Sequence, residues 1–164
     1  MKLFSANASQ IIEHHLKVSQ VIDGDSIKVV SIFNKLEKEI RLYGLDAPEI
    51  KMNRKLKEDE MKTQVAGKFL IQLGILSLKY ILKLAPPETK ITLITEKENF
   101  QDFYGRQLGY IILPDGTCLN EILVREGYAK ALSDYACSEL AHYQELNFAA
   151  MQERRGLYAF AKRY

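Results

Sequence analysis

From Leu16 onward the apolar positions of this chain fall into short alternating runs. Leu16, Val18 and Ile22 share one face of an extended segment that ends at Asp23-Gly24-Asp25. Residues 26–33 form a second run, dense in β-branched side chains, and residues 39–45 alternate Ile40 and Leu42 against Arg41 and Tyr43. Together they predict three consecutive antiparallel strands, with Asn34-Lys35 in the turn between the second and third. Residues 1–15 carry no such period and read as a loose arm ahead of a single domain over 16–164.

The pattern then changes. Residues 50–60 are nearly all polar or charged, which predicts a solvated loop. Val65, Phe69, Leu73, Leu76 and Tyr80 follow at spacings of four, four, three and four, the signature of a helix with one buried face. Pro86-Pro87 ends it, and Gly67 and Gly74 weaken it, Gly74 being a candidate break. Residues 91–95 and 106–113 predict two more strands, with Leu108, Tyr110 and Ile112 on one face of the latter. After the Pro114-Asp115-Gly116 turn, residues 119–126 predict a short helix stopped by Gly127. Residues 139–155 predict a third helix, with Ser138 as its N-cap and Gly156 past its end. Three strands, a helix, two strands and two helices make an α+β chain. Five short strands in this order suit a partly open Greek-key barrel of the OB type.

At 164 residues the chain is long enough for one domain with a proper core. Its 23 basic and 21 acidic residues leave a net charge of +2, too little to argue for nucleic-acid binding alone, although a local basic stripe is compatible with it. Cys118 and Cys137 have no metal-ligand spacing and read as unpaired thiols, with a single bridge left open. His14, His15 and His142 fit no zinc pattern. Residues 69–85 are apolar but short for a span and carry Gln72, Lys79 and Lys83, so no membrane helix is expected. Ser5, Asn7, Ser9 and Gln10 interrupt what would be the apolar part of a signal peptide. None is expected in this stretch, which leaves the cytoplasm and the exterior both open.

Charged residues gather at the predicted strand ends. Asp23-Gly24-Asp25 closes the first strand, and Arg41 lies on the third, followed at once by Asp46-Ala47-Pro48-Glu49. Asp102 and Tyr104-Gly105-Arg106 lead into the fifth. Each piece alone has an ordinary reading as a turn or strand exit. In combination they are harder to dismiss. Carboxylates at Asp25, Asp46 and Glu49 on adjacent strand ends would repel one another without a counter-ion. A hard divalent cation with oxygen ligands resolves that repulsion, and two planar guanidiniums suit phosphate oxygens.

Residues 21–26 (Val-Ile-Asp-Gly-Asp-Ser), 40–49 (Ile-Arg-Leu-Tyr-Gly-Leu-Asp-Ala-Pro-Glu), 102–106 (Asp-Phe-Tyr-Gly-Arg) and 119–130 resemble the staphylococcal nuclease (thermonuclease) family in order and spacing. The likeness covers roughly residues 16–156. It implies an OB barrel with three helices, acting as a monomeric, calcium-dependent endonuclease. Such an enzyme would hydrolyse DNA and RNA, prefer single strands and leave 3′-phosphate ends. It implies Asp25, Asp46 and the carbonyl of Ala47 as calcium ligands, and Glu49 as the residue that positions or deprotonates water. Arg41 and Arg106 would sit on the scissile phosphate, Tyr104 and Tyr135 would line the nucleotide pocket, and Asp23 and Asp102 would give support. Asn120 and Glu121 would open a helix that Arg125 helps to tie to the barrel. Three departures stand out: Ala47 where the type member has Thr, Phe103 where it has Lys, and Ser133 in place of a pocket tyrosine. A catalytically silent nucleic-acid-binding module on the same barrel is the alternative.

Overall fold

The computed structural model describes residues 4–132, 134 and 136–164. Five strands, β1 (Gln10–Val21), β2 (Ser26–Ser31), β3 (Glu37–Leu42), β5 (Lys90–Glu96) and β6 (Gln107–Ile112), close into a barrel in the order β1-β2-β3-β6-β5. Two-residue strands β4 (Leu45–Asp46) and β7 (Lys130–Ala131) form a separate ribbon. The neighbours are antiparallel except β3 and β6, which run parallel with Ile40 opposite Gln107 and Arg41 opposite Leu108. This is the expected α+β barrel of OB type. Its interior is filled by the alternate residues Val18, Ile27, Val29, Ile40, Leu42, Leu93, Leu108 and Tyr110, all buried.

Four helices pack outside among the described residues: α1 (Arg54–Thr63), α2 (Gly67–Leu84), α3 (Leu119–Arg125) and α4 (Leu140–Gln152). The first was not expected. Residues 50–60, read as a loop, hold most of α1. Asn53 caps it, its side chain accepting from the Leu56 amide at 2.8 Å. Leu56 is its one fully buried apolar residue and joins Leu70 and Leu73 in a second, smaller core. Gln64, left-handed at φ 60°, ends α1, and α2 departs at 108° to it. Among the described residues no single helix is long and apolar enough to cross a membrane.

Several boundaries move for physical reasons. Residues 10–15, expected in the arm, belong to β1, and residues 10–13 pair with β5. A register shift between Glu13 and Leu16, with His15 at φ 59°, hides their alternation. The third strand stops at Leu42 rather than running to Leu45, because Gly44 turns the chain at φ 71° against the Tyr143 ring. Helix α2 runs through Gly74 unbroken, and its buried face is rotated from the one expected. Leu70, Leu73, Gly74, Ser77 and Ile81 face inward while Phe69, Leu76 and Tyr80 are only partly covered. Small residues bring the helix close. A Cβ on Gly74 would stand 2.4 Å from the Pro48 carbonyl oxygen and 2.6 Å from that of Glu49. Ser138 does not cap α4; its hydroxyl and amide bond Glu96 instead. Helix α3 is tied to the barrel through Asn120, which accepts from the Ile111 amide and donates to the carbonyls of Tyr43 and Gly109. Arg125 pairs with Glu121 and Glu126. Cys118 and Cys137 are free thiols.

Candidate functional site

The register of β2 on β3 places Ser26 opposite Arg41, and so brings Asp25, the residue before β2, to the same barrel end as Arg41. The parallel pairing of β3 with β6 adds Arg106, one residue ahead of β6. The β4–β7 ribbon sets Asp46 opposite Lys130. Asp25, Arg41, Asp46 and Arg106 line one cavity of about 260 Å³ with Asp23, Glu49, Lys55, Tyr104, Leu132 and Asp134. A larger groove of about 730 Å³, lined by Gln10, Asn99, Gln101 and Phe103 among others, runs alongside but carries neither arginine.

Arg41 is buried and fully engaged. Its Nη1 donates to the carbonyls of Leu45 at 2.9 Å, Leu42 at 3.2 Å and Asp25 at 3.4 Å. Its Nη2 lies 3.2 Å from both Asp25 Oδ2 and Asp46 Oδ1. Asp25 also accepts from the Ala47 amide at 3.1 Å and the Ser26 hydroxyl at 3.0 Å. Burial would raise the Asp25 carboxyl, but the charges of Arg41 and Lys55 and the Ala47 donor carry it below the ordinary carboxylate range. Asp23 goes the other way. Burial first, then the neighbouring Asp25 charge, push it up to about 7. Its Oδ1 accepts from the Asp25 amide at 3.0 Å and so closes the turn.

Arg106 is held differently. Asp102, its side chain buried, accepts from the amides of Tyr104 and Arg106 at 2.9 Å and from Arg106 Nε at 2.7 Å. The guanidinium, partly open to solvent, lies 3.7 Å from Glu39 and 5.7 Å from the centre of the Tyr104 ring. Tyr104, which lines the cavity, is 83% exposed, and Phe103, which lines the larger groove, is 92% exposed. Tyr135 and Ser133 lie outside the described residues.

A cation already sits among the oxygens. Lys55 Nζ is 2.9 Å from Asp46 Oδ1, 2.9 Å from Glu49 Oε1, 3.4 Å from the Ala47 carbonyl oxygen and 3.7 Å from Asp59 Oδ2. Burial would lower its pKa, but the charges of Asp46, Asp25 and Glu49 hold it well above the usual lysine range. The other Glu49 oxygen accepts from Asn53 Nδ2 at 2.6 Å, and Lys130 lies 3.6 Å from Asp46 Oδ2. Sequence reasoning missed Lys55, Asn53 and Asp59 because their segment was read as a loop. Asn53 as an N-cap and the i, i+4 pair Lys55–Asp59 were the available signals.

The donor set, two carboxylates and a backbone carbonyl already gathered about a positive charge, suits a hard cation such as calcium. Among the described residues no group of three or more His, Cys, Asp or Glu side chains is placed to hold a metal ion, so the backbone carbonyl is a needed part of the donor set. Asp25 faces Arg41 rather than Lys55.

Residues 39–159 match the family model described as staphylococcal nuclease homologue. The chain belongs to the staphylococcal nuclease family. It is 31% identical over 148 residues to an uncharacterized endonuclease of Escherichia coli O157:H7, covering 90% of this chain and 78% of that protein. A counterpart described for Escherichia coli matches to the same extent. Endonuclease YhcR of Bacillus subtilis (strain 168) is 30% identical over 144 residues, which are 86% of this chain and 11% of that protein. The family match begins at Glu39, so Asp23 and Asp25 lie ahead of it and join the site through the β2–β3 register.

Proposed function

We propose that this protein is a calcium-dependent nuclease that hydrolyses phosphodiester bonds in DNA and RNA and leaves 3′-phosphate ends. The observation that carries the reading is the single cavity in which Arg41 and Arg106 face Asp25, Asp46 and Glu49, with a positive group seated between Asp46, Ala47 and Glu49. Calcium, when bound, would be held by Asp46, the Ala47 carbonyl and Asp25, and would supply positive charge against the phosphate oxygens.

The rest of the chemistry is the chain's own. Glu49, at the edge of the cavity, orients water and takes its proton as the water oxygen attacks phosphorus; the bond from phosphorus to the 5′-oxygen breaks, and that oxygen leaves as a 5′-hydroxyl with a proton drawn from solvent. Arg106, aimed by Asp102, gives two N–H groups to the phosphoryl oxygens as charge gathers on them. Arg41 keeps Asp25 and Asp46 together so that they act on one centre. Tyr104 presents an exposed ring to an unstacked base, which supports a preference for single strands. With Phe103 in place of a cation, one phosphate contact fewer is expected and binding depends less steeply on salt.

The test is a metal screen on chelator-treated protein with end-group analysis of the products. Calcium should restore cleavage, and the new ends should resist polymerase extension until a phosphatase has acted. Full activity in EDTA, or a requirement for zinc, sinks the reading. Binding of oligonucleotides without cleavage under any metal favours the silent module.

A further inference from the structure

Lys55 has no role in the mechanism just given, yet it holds the centre of the site. Its ammonium touches the carboxylate of Asp46, the carbonyl of Ala47 and the carboxylate of Glu49 at once. Asp46 and the Ala47 carbonyl would hold calcium, and the ammonium already lies against both. Two positive groups cannot share those oxygens. We propose that Lys55 is a tethered competitor for the divalent cation, whose withdrawal frees a metal carboxylate, the metal carbonyl and the base Glu49 in one movement. The proposal rests on the calcium reading above.

The surroundings fit a side chain that moves while its backbone stays. Helix α1 is fixed by the Asn53 cap on one side of Lys55 and by buried Leu56 on the other. The Lys55 side chain is 39% exposed, so it has an open path out of the cavity. Asp59 stands one turn further along the same helix, 3.7 Å from Nζ, and offers a second seat once the first is vacated. The two seats make a switch. On Asp46 and Glu49 the ammonium closes the site; on Asp59 it leaves the site open. Affinity for calcium is then set by the fraction of molecules in the open arrangement.

Lys130 supplies the control. It also lies close to Asp46, at 3.6 Å, but on Oδ2 and away from Glu49. Its removal tests the loss of a nearby charge without clearing the shared position.

The experiment is calcium titration by calorimetry of the wild type, Lys55→Met, Lys130→Met, Asp59→Asn and the Lys55→Met/Asp59→Asn pair, with no nucleic acid present. Lys55→Met should bind calcium roughly 10-fold or more tightly than wild type. Lys130→Met should gain less than about 3-fold if charge alone is at work at that distance. Asp59→Asn should weaken calcium in the wild type and have little effect when Lys55 is already gone, the coupling that a shared side chain requires. Should Lys55→Met be too unstable without metal, the same comparison is read from the rise of its melting temperature with calcium. Equal or weaker binding by Lys55→Met overturns the competitor while leaving the calcium site standing, as does an equal gain in Lys130→Met. No calcium binding by any of these proteins overturns the metal reading and the competitor together.

Discussion

Replacing Gly74 by alanine puts a methyl group where the helix meets the loop that carries Glu49. The new carbon would stand 2.4 Å from the Pro48 oxygen and 2.6 Å from the Glu49 oxygen, against a floor of 3.0 Å for such contacts. The difference for the first, 3.0 less 2.4, requires a shift of at least 0.6 Å. Helix α2 is held by buried Leu70, Leu73 and Ile81, whereas residues 47–49 belong to the loop of residues 47–53 between β4 and α1. The loop therefore gives way, and Glu49 moves relative to Arg41, which β3 keeps in place. Two effects oppose each other in stability. Alanine in a helix interior gains about 1 kcal/mol over glycine, while overpacking costs roughly 1–3 kcal/mol. The net is a loss of up to about 2 kcal/mol. Activity is more sensitive, because misplacing a catalytic group by about 1 Å costs on the order of 10²-fold, so a drop of roughly 10–100-fold in kcat is expected.

The assay pairs urea unfolding with initial rates on a labelled oligonucleotide. Gly67→Ala is the control, since the atoms nearest its added carbon are side-chain ones at ordinary or nearly ordinary distance, Glu60 Oε2 at 3.3 Å and Leu56 Cδ2 at 3.5 Å. It should keep wild-type activity and change stability by less than about 1 kcal/mol. If Gly74→Ala gains about 1 kcal/mol and keeps its kcat within roughly twofold, the helix does not press on the loop and the reasoning is wrong.

Glu49→Gln should lower kcat by roughly 10²–10⁴ while calcium affinity changes little, as calorimetry beside rates would check; a wild-type kcat removes Glu49 from the mechanism. Asp23→Asn keeps the oxygen that closes its turn and removes the group that burial pushes up to about 7 from an ordinary 3.8. The folded chain binds that proton more tightly than the unfolded one, so metal-free stability falls as pH rises between those two values. The variant should be more stable than wild type above neutral pH, by about 2 kcal/mol after allowance for partial exposure, and lose the advantage in acid; parallel urea curves at all pH values would count against it. Asn120→Ala should cost about 2–4 kcal/mol in urea unfolding, because the Ile111 amide loses its buried acceptor and Tyr43 a donor.

The barrel was legible because its strands bury one face each, so Ile27, Val29, Ile40, Leu42, Leu108 and Tyr110 announce themselves by alternation. Where that rule fails, the reading fails. Ile11 and Ile12 are both exposed on β1, ahead of a bulge, and leave no period to detect. Helix α1 buries only Leu56 among its apolar residues, since it covers a charged site rather than a core. A helix that packs through a cap and ion pairs looks, in sequence, like a solvated loop. The face of α2 was misjudged because bulk was taken as the mark of burial, whereas close approach to the Glu49 loop selects glycine and serine. Arg41, Asp46, Glu49, Asp102 and Arg106 were legible as motif residues, but the lysines that pair with the carboxylates were not. Lys55 and Lys130 reach the site from α1 and β7, at distances in space that no local spacing encodes.

Those partners explain how the acidic site holds together. Asp46 is buried, and an unpaired carboxylate in such a place would cost several kcal/mol. It has instead Arg41, Lys55 and Lys130 within 3.6 Å, and Glu49 shares Lys55. The barrel therefore folds around this cluster with its own counter-ions, unlike a structural zinc domain whose folding waits for metal. The same pairing divides the work of the two arginines. Arg41 could turn toward a phosphate only by giving up bonds to three carbonyls and two carboxylates. Doing so would release the repulsion between Asp25 and Asp46 that it holds in check. Arg106 is fixed through Nε by a carboxylate of its own and keeps its outer nitrogens near the cavity and solvent. It can meet an incoming phosphate without disturbing the carboxylates. The geometry thus favours Arg106 for first contact with substrate, and Arg41 for holding the acidic cluster in the arrangement that the reaction needs.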